Sequence, residues 1–398
     1  MNRNNILVMT FLCFLFIVIT SFLSISYNDD EDEISVVNKV IPSHTQADIL
    51  TAYDAFNQYL YDPVRKLYYR DSDRSQAVGA IWTQAIYWDM AMNAYKKTHA
   101  LKYRQLMEDI YQGNNVYYDH YNWNNGRVWF IYDDIMWWVI SLARAYELTE
   151  ESKYLELSES GFKRVWSGSL TVGDTGSYDP VNGGMFWQWN KNNPSHRQPT
   201  DGKMSCINYP TVIAAMTLYN ITHKSDYLDK AKEIYGWASK NLFNKQNGSV
   251  ADSKHGNNTP DWKTHTYNQA TCIGSAVMLY NETKEQHYLD DAVAAADYTF
   301  NTMCGGFQVL LFESGEEQGI YTAIFAQYII RLIEDCNKPE YFPWLRRTID
   351  YGWYFRDPAR NITSKNYLEQ CSITTPISCY DASGIPALML VCSPDTVE

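Results

Sequence analysis

Two adjacent aspartates, Asp133 and Asp134, lie inside an aromatic run, Trp129-Phe130-Ile131-Tyr132-Asp133-Asp134-Ile135-Met136-Trp137-Trp138. Like charges at such range resist ionising together, so a neighbouring pair holds its protons unequally. Cleavage of a glycosidic bond uses that inequality. One carboxylate is ionised, and one carboxylic acid is protonated to release the leaving group. The flanking Trp and Tyr rings offer flat apolar faces that suit the C–H faces of a pyranose. The simpler role is structural, because acidic residues favour helix N-caps and first turns. A cap alone does not call for aromatics on both sides, and a solvated carboxylate is out of place in a stretch as apolar as Val128 to Ile140.

Ile135, Val139, Leu142 and Tyr146 form one helical stripe, which puts the pair at or near a helix N-terminus. Consecutive Cα atoms are about 3.8 Å apart. At a helix entry the two carboxyl groups could sit about 5 to 5.5 Å apart, the separation used by retaining glycosidases. The helix dipole would favour an ionised nucleophile, while repulsion raises the pKa of its neighbour.

The elements that must hold this pair show as an internal repeat. Four segments share a pattern: Ala91-x-x-x-Tyr95-x-x-Thr98, Leu142-x-x-x-Tyr146-x-x-Thr149, Ala215-x-x-x-Tyr219-x-x-Thr222 and Ala276-x-x-x-Tyr280-x-x-Thr283. A second Tyr follows in each, at 103, 154, 227 and 288. The pattern predicts a helix ending near the first Tyr, a short polar turn, and a helix starting near the second, that is, an αα-hairpin. Apolar spacing of i, i+3, i+4 flanks each turn. Weaker copies at Ile49 to Tyr61 and Ala323 to Tyr341 bring the expectation to six hairpins. Six can close into an all-α (α/α)6 barrel, with an open solenoid as the alternative. The intervening loops, Asp119 to Arg127, Ser177 to Thr200 and Asn244 to Lys263, carry much of the Gly, Asn and Trp, and loops this long are usually functional.

Bulk properties narrow the function. The 398 residues suit one large domain and carry 32 Tyr and 13 Trp. A formal charge of −13 disfavours nucleic acid as a partner. Arg3 precedes an apolar run from Ile6 to Leu23, followed by Ser24 and Ser26, which reads as a signal peptide over residues 1–26 or an uncleaved anchor. Leu12 before Cys13 does not fit a lipoprotein signal. The basic end before the run and the acidic stretch Asp29 to Glu33 after it direct the body of the protein outward, so an exported location is expected. Residues 27–43 read as a flexible tether and 44–395 as a single catalytic domain. Seven cysteines lie beyond the signal, an odd number whose connectivity spacing does not define. Scattered histidines without HExxH or CxxC disfavour zinc.

These residues resemble glycoside hydrolase family 76, the endo-α-1,6-mannanases, over about residues 47 to 390, most of all the bacterial members. The resemblance rests on Trp82-Thr83-Gln84, on Asp133-Asp134 with Trp137-Trp138, on Gly183-Gly184-Met185-Phe186-Trp187, on the spacing from Lys203 to Asn208, and on Thr266-Tyr267-Asn268-Gln269-Ala270-Thr271. Ala270 stands where the family usually has Gly, a change the backbone tolerates unless φ there is positive. The resemblance implies an (α/α)6 barrel and retaining, endo-acting hydrolysis of α-1,6-mannan by a monomer, with no cofactor and no metal. It implies Asp133 as nucleophile and Asp134 as acid/base. It also implies Asn208, Asn268 and Gln269 at sugar hydroxyls, Trp82, Trp129, Trp187 and Tyr267 lining the cleft, and Gln84 among the substrate-binding residues. The alternatives are a transglycosylase that remodels a wall or surface glycan with the same aspartates, and a glycan-binding toroid without catalysis. A magnesium-dependent terpene-type enzyme needs Asp where Trp137 stands, which excludes it.

Overall fold

The computed structural model describes residues 40–189 and 201–394. The segment 1–26, all of 27–43 but its last four residues, and part of the loop Ser177 to Thr200 lie outside the described residues. No described helix is long and apolar enough to cross a membrane.

The Tyr-x-x-Thr repeat has a local cause. The helices α2 (Ile81–Thr98), α4 (Tyr132–Thr149), α6 (Ser205–Thr222) and α8 (Thr266–Thr283) all end on the repeat Thr. Each Thr hydroxyl donates to the carbonyl four residues back, on Ala94, Ala145, Leu218 and Leu279, at 2.7–2.9 Å. The same hydroxyl accepts from the N–H two residues on, at Ala100, Glu151, Lys224 and Glu285. The residue between takes a left-handed φ of 53–59° at His99, Glu150, His223 and Lys284, and its N–H caps the repeat Tyr carbonyl. Non-glycine residues occupy that region at a cost of about 1 kcal/mol, and the paired Thr bonds help offset it. The chain thus reverses sharply into α3 (Leu101–Tyr117), α5 (Ser152–Ser167), α7 (Ser225–Asn241) and α9 (Gln286–Thr302). The first helix of each hairpin runs three residues past the first Tyr, and the second begins just before the second Tyr.

The second Tyr of the repeat ties neighbouring hairpins together. Its phenol donates to an acid on the preceding outer helix: Tyr103 to Asp54 at 2.8 Å, Tyr154 to Glu108 at 3.0 Å and Tyr227 to Glu159 at 3.0 Å. Tyr341 does the same to Asp297 on α9 at 2.7 Å. Asp54 lies on α1 (Gln46–Leu60), which starts in a capping box between Thr45 and Asp48.

The helices α2, α4, α6, α8, α10 (Tyr321–Asp335) and α12 (Gly384–Val391) touch in that order, and α12 returns to α2, so the inner ring closes. The fold is an all-α double ring. The sixth pair is not the hairpin expected at Ile49 to Tyr61. Instead α1 packs on α12 from the other end of the chain, while α11 (Phe342–Tyr354) also lies against α12. The inner helices are buried almost all round, as in the unbroken run Ser205 to Leu218 of α6, because outer helices cover one side and the barrel interior the other. Outer helices bury one stripe only.

The loop between α5 and α6 is fastened to the first residue of α4. Asp174, 2% exposed, accepts from the Tyr132 hydroxyl at 2.6 Å and from Arg164 Nη1 at 2.5 Å. Tyr132 precedes the aspartate pair, so this buried ion pair holds the site's backbone. Removing one partner of such a pair leaves a buried charge unmatched. Asp174→Ala is expected to lose about 3 to 5 kcal/mol of unfolding free energy in denaturant titration, against a change near zero for exposed Asp226→Ala.

Candidate active site

The N-terminal ends of the inner helices gather around the aspartate pair. Trp82 lies in the first turn of α2, Asp133 and Asp134 in that of α4, Cys206 in that of α6, Tyr267 in that of α8, and Tyr321 opens α10. The N-cap of α4 is Ile131, with no side-chain cap bond, so the two aspartates do not cap the helix. Trp187 is brought to them by the backbone: the N–H of Tyr132 donates to its carbonyl at 2.9 Å, and Ile131 bridges Gln188. The opposite mouth, at the C-terminal ends of the inner helices, holds a cavity of about 540 Å³ lined by charged groups of both signs, among them Lys96, Arg144, Glu147 and Arg331.

Asp133 is 8% exposed, and burial pushes its pKa up to about 7. Hydrogen bonds from the Cys206 thiol, the Trp187 indole and its own backbone N–H oppose that rise, while the Glu317 charge adds to it. Its Oδ1 has no hydrogen-bond partner. The pKa of Asp134 is raised well above the carboxylate range, first by burial and then by the charges of Asp133 and Glu317, with nothing pulling it down. The two carboxyl groups interact closely, so the two protonation steps belong to the pair, and the pair holds a proton to higher pH than a free carboxylate would.

Glu317 is a third carboxylate, one that no sequence motif marks. It lies just before α10, accepts from Trp82 Nε1 at 2.8 Å, and has a pKa raised by burial. Trp82 in turn packs beside Trp137 with ring centroids 6.1 Å apart. Cys206 was also missed, as were Asp252, His265, Glu313 and Tyr321. Tyr267 stacks on Tyr321 at 4.0 Å. His265 sits between Asp252, 3.8 Å from its Nε2, and Glu313, which pairs with its Nδ1. No sequence motif marks these residues, since each comes from a different loop or helix start.

The expected sugar-facing residues divide. Trp82 and Trp187 are half-buried at the pair, and Tyr267 stands beside Cys206 and Asp133. Asn268 donates to Asp252 at 3.5 Å, and its Oδ1 has no partner. Gln84, Asn208, Gln269 and Trp129 are placed differently, and the expectation for them is corrected. All four are fully buried. Gln84 accepts from Tyr68 N and donates to Tyr68 O and Gly79 O at 3.0–3.3 Å. Asn208 clasps both backbone groups of Met185 at 2.8 and 3.1 Å. Gln269 accepts from Val250 N and donates to Gly248 O and Ala295 O. These amides are spent on loop backbone, where leaving it unpaired would cost more than a sugar contact gains. Trp129 donates to Tyr118 O and packs against Trp123 in the core. The pair Gly183-Gly184 takes φ of +71° and +76°, and a Cβ on Gly184 would meet the Trp237 ring at 2.5 Å. Ala270 lies inside α8 without positive φ, so the methyl in place of Gly is accommodated.

A closed double ring of helices with two adjacent carboxyl groups among aromatic rings, Asp133 buried and Asp134 half-buried, defines a glycosidase of the (α/α)6 type. The model of glycosyl hydrolase family 76 matches residues 43–374, and the chain belongs to that family. Among solved structures it is similar to the GH76A α-1,6-mannanase of Salegentibacter sp. HEL1_6, at 22% identity and TM-score 0.74, covering 87% of this chain and 97% of that one. An inactive variant of that enzyme, with two adjacent aspartates replaced by asparagine and α-1,6-mannotriose bound, is similar at 20% identity and TM-score 0.75, covering 87% and 98%. The family 76 mannosidase Bt3792 of Bacteroides thetaiotaomicron is similar at 17% and 0.70, covering 86% and 96%. No curated protein matches.

The electrostatics give two expectations. Removing the Glu317 charge relieves repulsion on both aspartates, so Glu317→Gln is expected to move both limbs of the pH profile of kcat/KM to lower pH. A profile that stays in place would count against this coupling. Stability follows the same protons. Asp133 titrates near 3.8 when unfolded and near 7 when folded, so between those values the folded state binds more protons. That stability is complete below about pH 3.8 and is lost as pH rises through about 7. The double variant Asp133→Asn/Asp134→Asn is therefore expected to melt higher than the unmodified protein at pH 8, with the difference shrinking toward pH 4.

Proposed function

We propose that the protein is an endo-acting, retaining glycosidase that hydrolyses α-1,6-mannan, with Asp133 as nucleophile and Asp134 as acid/base. The observation that carries the reading is the placement of two adjacent carboxylates, Asp133 and Asp134, in the first turn of α4, where the starts of the inner helices bring Trp82, Cys206 and Tyr267 together. The loss of activity in a Salegentibacter relative whose two adjacent aspartates are replaced, and the α-1,6-mannotriose bound to it, support the choice of residues and linkage.

In the first step the Asp134 proton moves to the glycosidic oxygen as Asp133 attacks C1, the bond to the leaving sugar breaks, and a glycosyl ester forms on Asp133. In the second, the Asp134 carboxylate takes a proton from water, the water oxygen bonds to C1, and Asp133 is released. The Trp187 indole and Cys206 thiol lie at the Asp133 carboxylate, and Trp82, Trp187 and Tyr267 line the sugar. A polymer of this size is met outside the cell, in agreement with the export signal read from residues 1–26.

The test is incubation with unbranched α-1,6-mannan, with chromatography of the products and proton NMR of the first anomer released. Mannooligosaccharides of several lengths that appear as the α-anomer support the reading, and each of Asp133→Asn and Asp134→Asn should lower kcat about 1000-fold or more. No release by the unmodified protein, or the β-anomer first, refutes it. Products longer than the substrate would assign the chain to glycosyl transfer instead.

A further inference from the structure

Two loops beside the catalytic pair each present an aromatic ring to solvent. Trp262, 44% exposed, is the single exposed tryptophan of the 13. Phe312, 47% exposed, is the single exposed phenylalanine among the described residues, and Leu311 beside it is 45% exposed. A molecule that buries or half-buries every other Trp leaves this one out at a cost in apolar hydration.

Both rings sit on anchored backbone. Glu313, next to Phe312, accepts from the N–H and the hydroxyl of Thr266 at 2.7 and 2.6 Å and pairs with His265. That ties the α9–α10 loop to the start of α8. Asp261, next to Trp262, donates to Ser253 O and accepts from Asp252 N, both at 2.8 Å, and its side chain accepts from Lys263 N at 3.0 Å. The two anchors meet, because His265 Nε2 lies 3.8 Å from Asp252 Oδ1. From Asp252 the path runs through Asn268, Tyr267 and Cys206 to Asp133. The anchors beneath the two exposed aromatics are therefore linked through side chains to the aspartate pair.

We propose that Trp262 and Phe312 form an outer sugar-binding subsite, where pyranose rings of the polymer beyond those at the catalytic pair stack on aromatic faces. The inference rests on the glycan reading above and adds where a longer chain is held. Rings on pinned loops lose little freedom on binding, which suits a surface that recognises repeated identical units. The polar neighbours are of both signs, Asp261, Lys263 and Glu313, so the patch carries no field to attract an anionic membrane or nucleic acid. A neutral carbohydrate is the occupant that fits.

The test uses the Asp133→Asn/Asp134→Asn protein, so that binding is read without cleavage. Calorimetric titration with α-1,6-mannooligosaccharides of increasing length should show affinity rising with length. Adding Trp262→Ala and Phe312→Ala should weaken binding of the long oligosaccharides about tenfold and flatten the dependence on length. In the active protein, the ratio of kcat/KM on polymer to kcat/KM on the shortest cleaved oligosaccharide should fall by a similar factor. Equal affinities with and without the two rings, or equal weakening at every length, overturns the subsite. Absence of any mannooligosaccharide binding, together with no cleavage by the unmodified protein, refutes the mannan reading itself, so the two failures are distinguishable.

Discussion

A helix N-terminus ordinarily favours negative charge, since its free N–H groups and dipole stabilise a carboxylate. At α4 that preference meets the loss of hydration around Asp133 and Asp134, and the loss of hydration is the larger effect, because both groups are pushed upward despite their place in the first turn. Everything near the pair maintains that dryness. Trp82 packs beside Trp137, Tyr267 stacks on Tyr321, and Trp187 is drawn over Asp133 by a backbone bridge. Hydrogen bonds then separate two groups that burial alone would treat alike. A thiol, an indole and a backbone N–H favour charge on Asp133, while Asp134 has only repulsion from Asp133 and Glu317.

A site built from the starts of five inner helices needs its loops fixed, and the buried amides serve that end. Gln84 holds the backbone at Tyr68 and Gly79, Asn208 holds Met185 beside the double glycine, and Gln269 holds the turn at Gly248 and Val250. Each occupies the first turns of a different inner helix and reaches sideways to the loop in front of it. Asn268 differs from its neighbour Gln269 in one respect that bears on chemistry: its carbonyl oxygen is buried and unpartnered. An orphaned acceptor is costly in a packed interior, and Asp133 Oδ1 is a second one.

The hairpins and the aspartate pair were legible in the sequence because each depends on near neighbours. A Thr that bonds four residues back and two residues on leaves a fixed spacing, and so does a Tyr that must fall in the first turn of the next helix. The pair at 133 and 134 was legible through its aromatic frame. The amide roles were not, since a polar residue on an inner helix looks the same in sequence whether it faces a sugar or a loop. Glu317, Asp252 and His265 were hidden for the opposite reason: they act through partners on other hairpins, and no local spacing records that. All seven cysteines beyond residue 200 are free, so no disulfide framework shapes the loops.

The seam of the barrel shows why the third carboxylate in particular escapes local reasoning. Ring order places α12, of only eight residues, between α2 and α10. The short helix Cys379–Ala382 that precedes α12 packs on the segment Gln318–Ile320 before α10, and the Trp82–Glu317 hydrogen bond lies at this joint. Ala80 N donates to the Tyr380 hydroxyl at the same joint, and His44 pairs with Asp350 across 306 positions of sequence. These contacts form only when the two ends of the chain meet, with α1 closing behind α12. Ring closure therefore does more than complete the core. It brings the Glu317 charge to the aspartate pair, so that the electrostatics of the first turn of α4 depend on contacts between segments far apart in the chain.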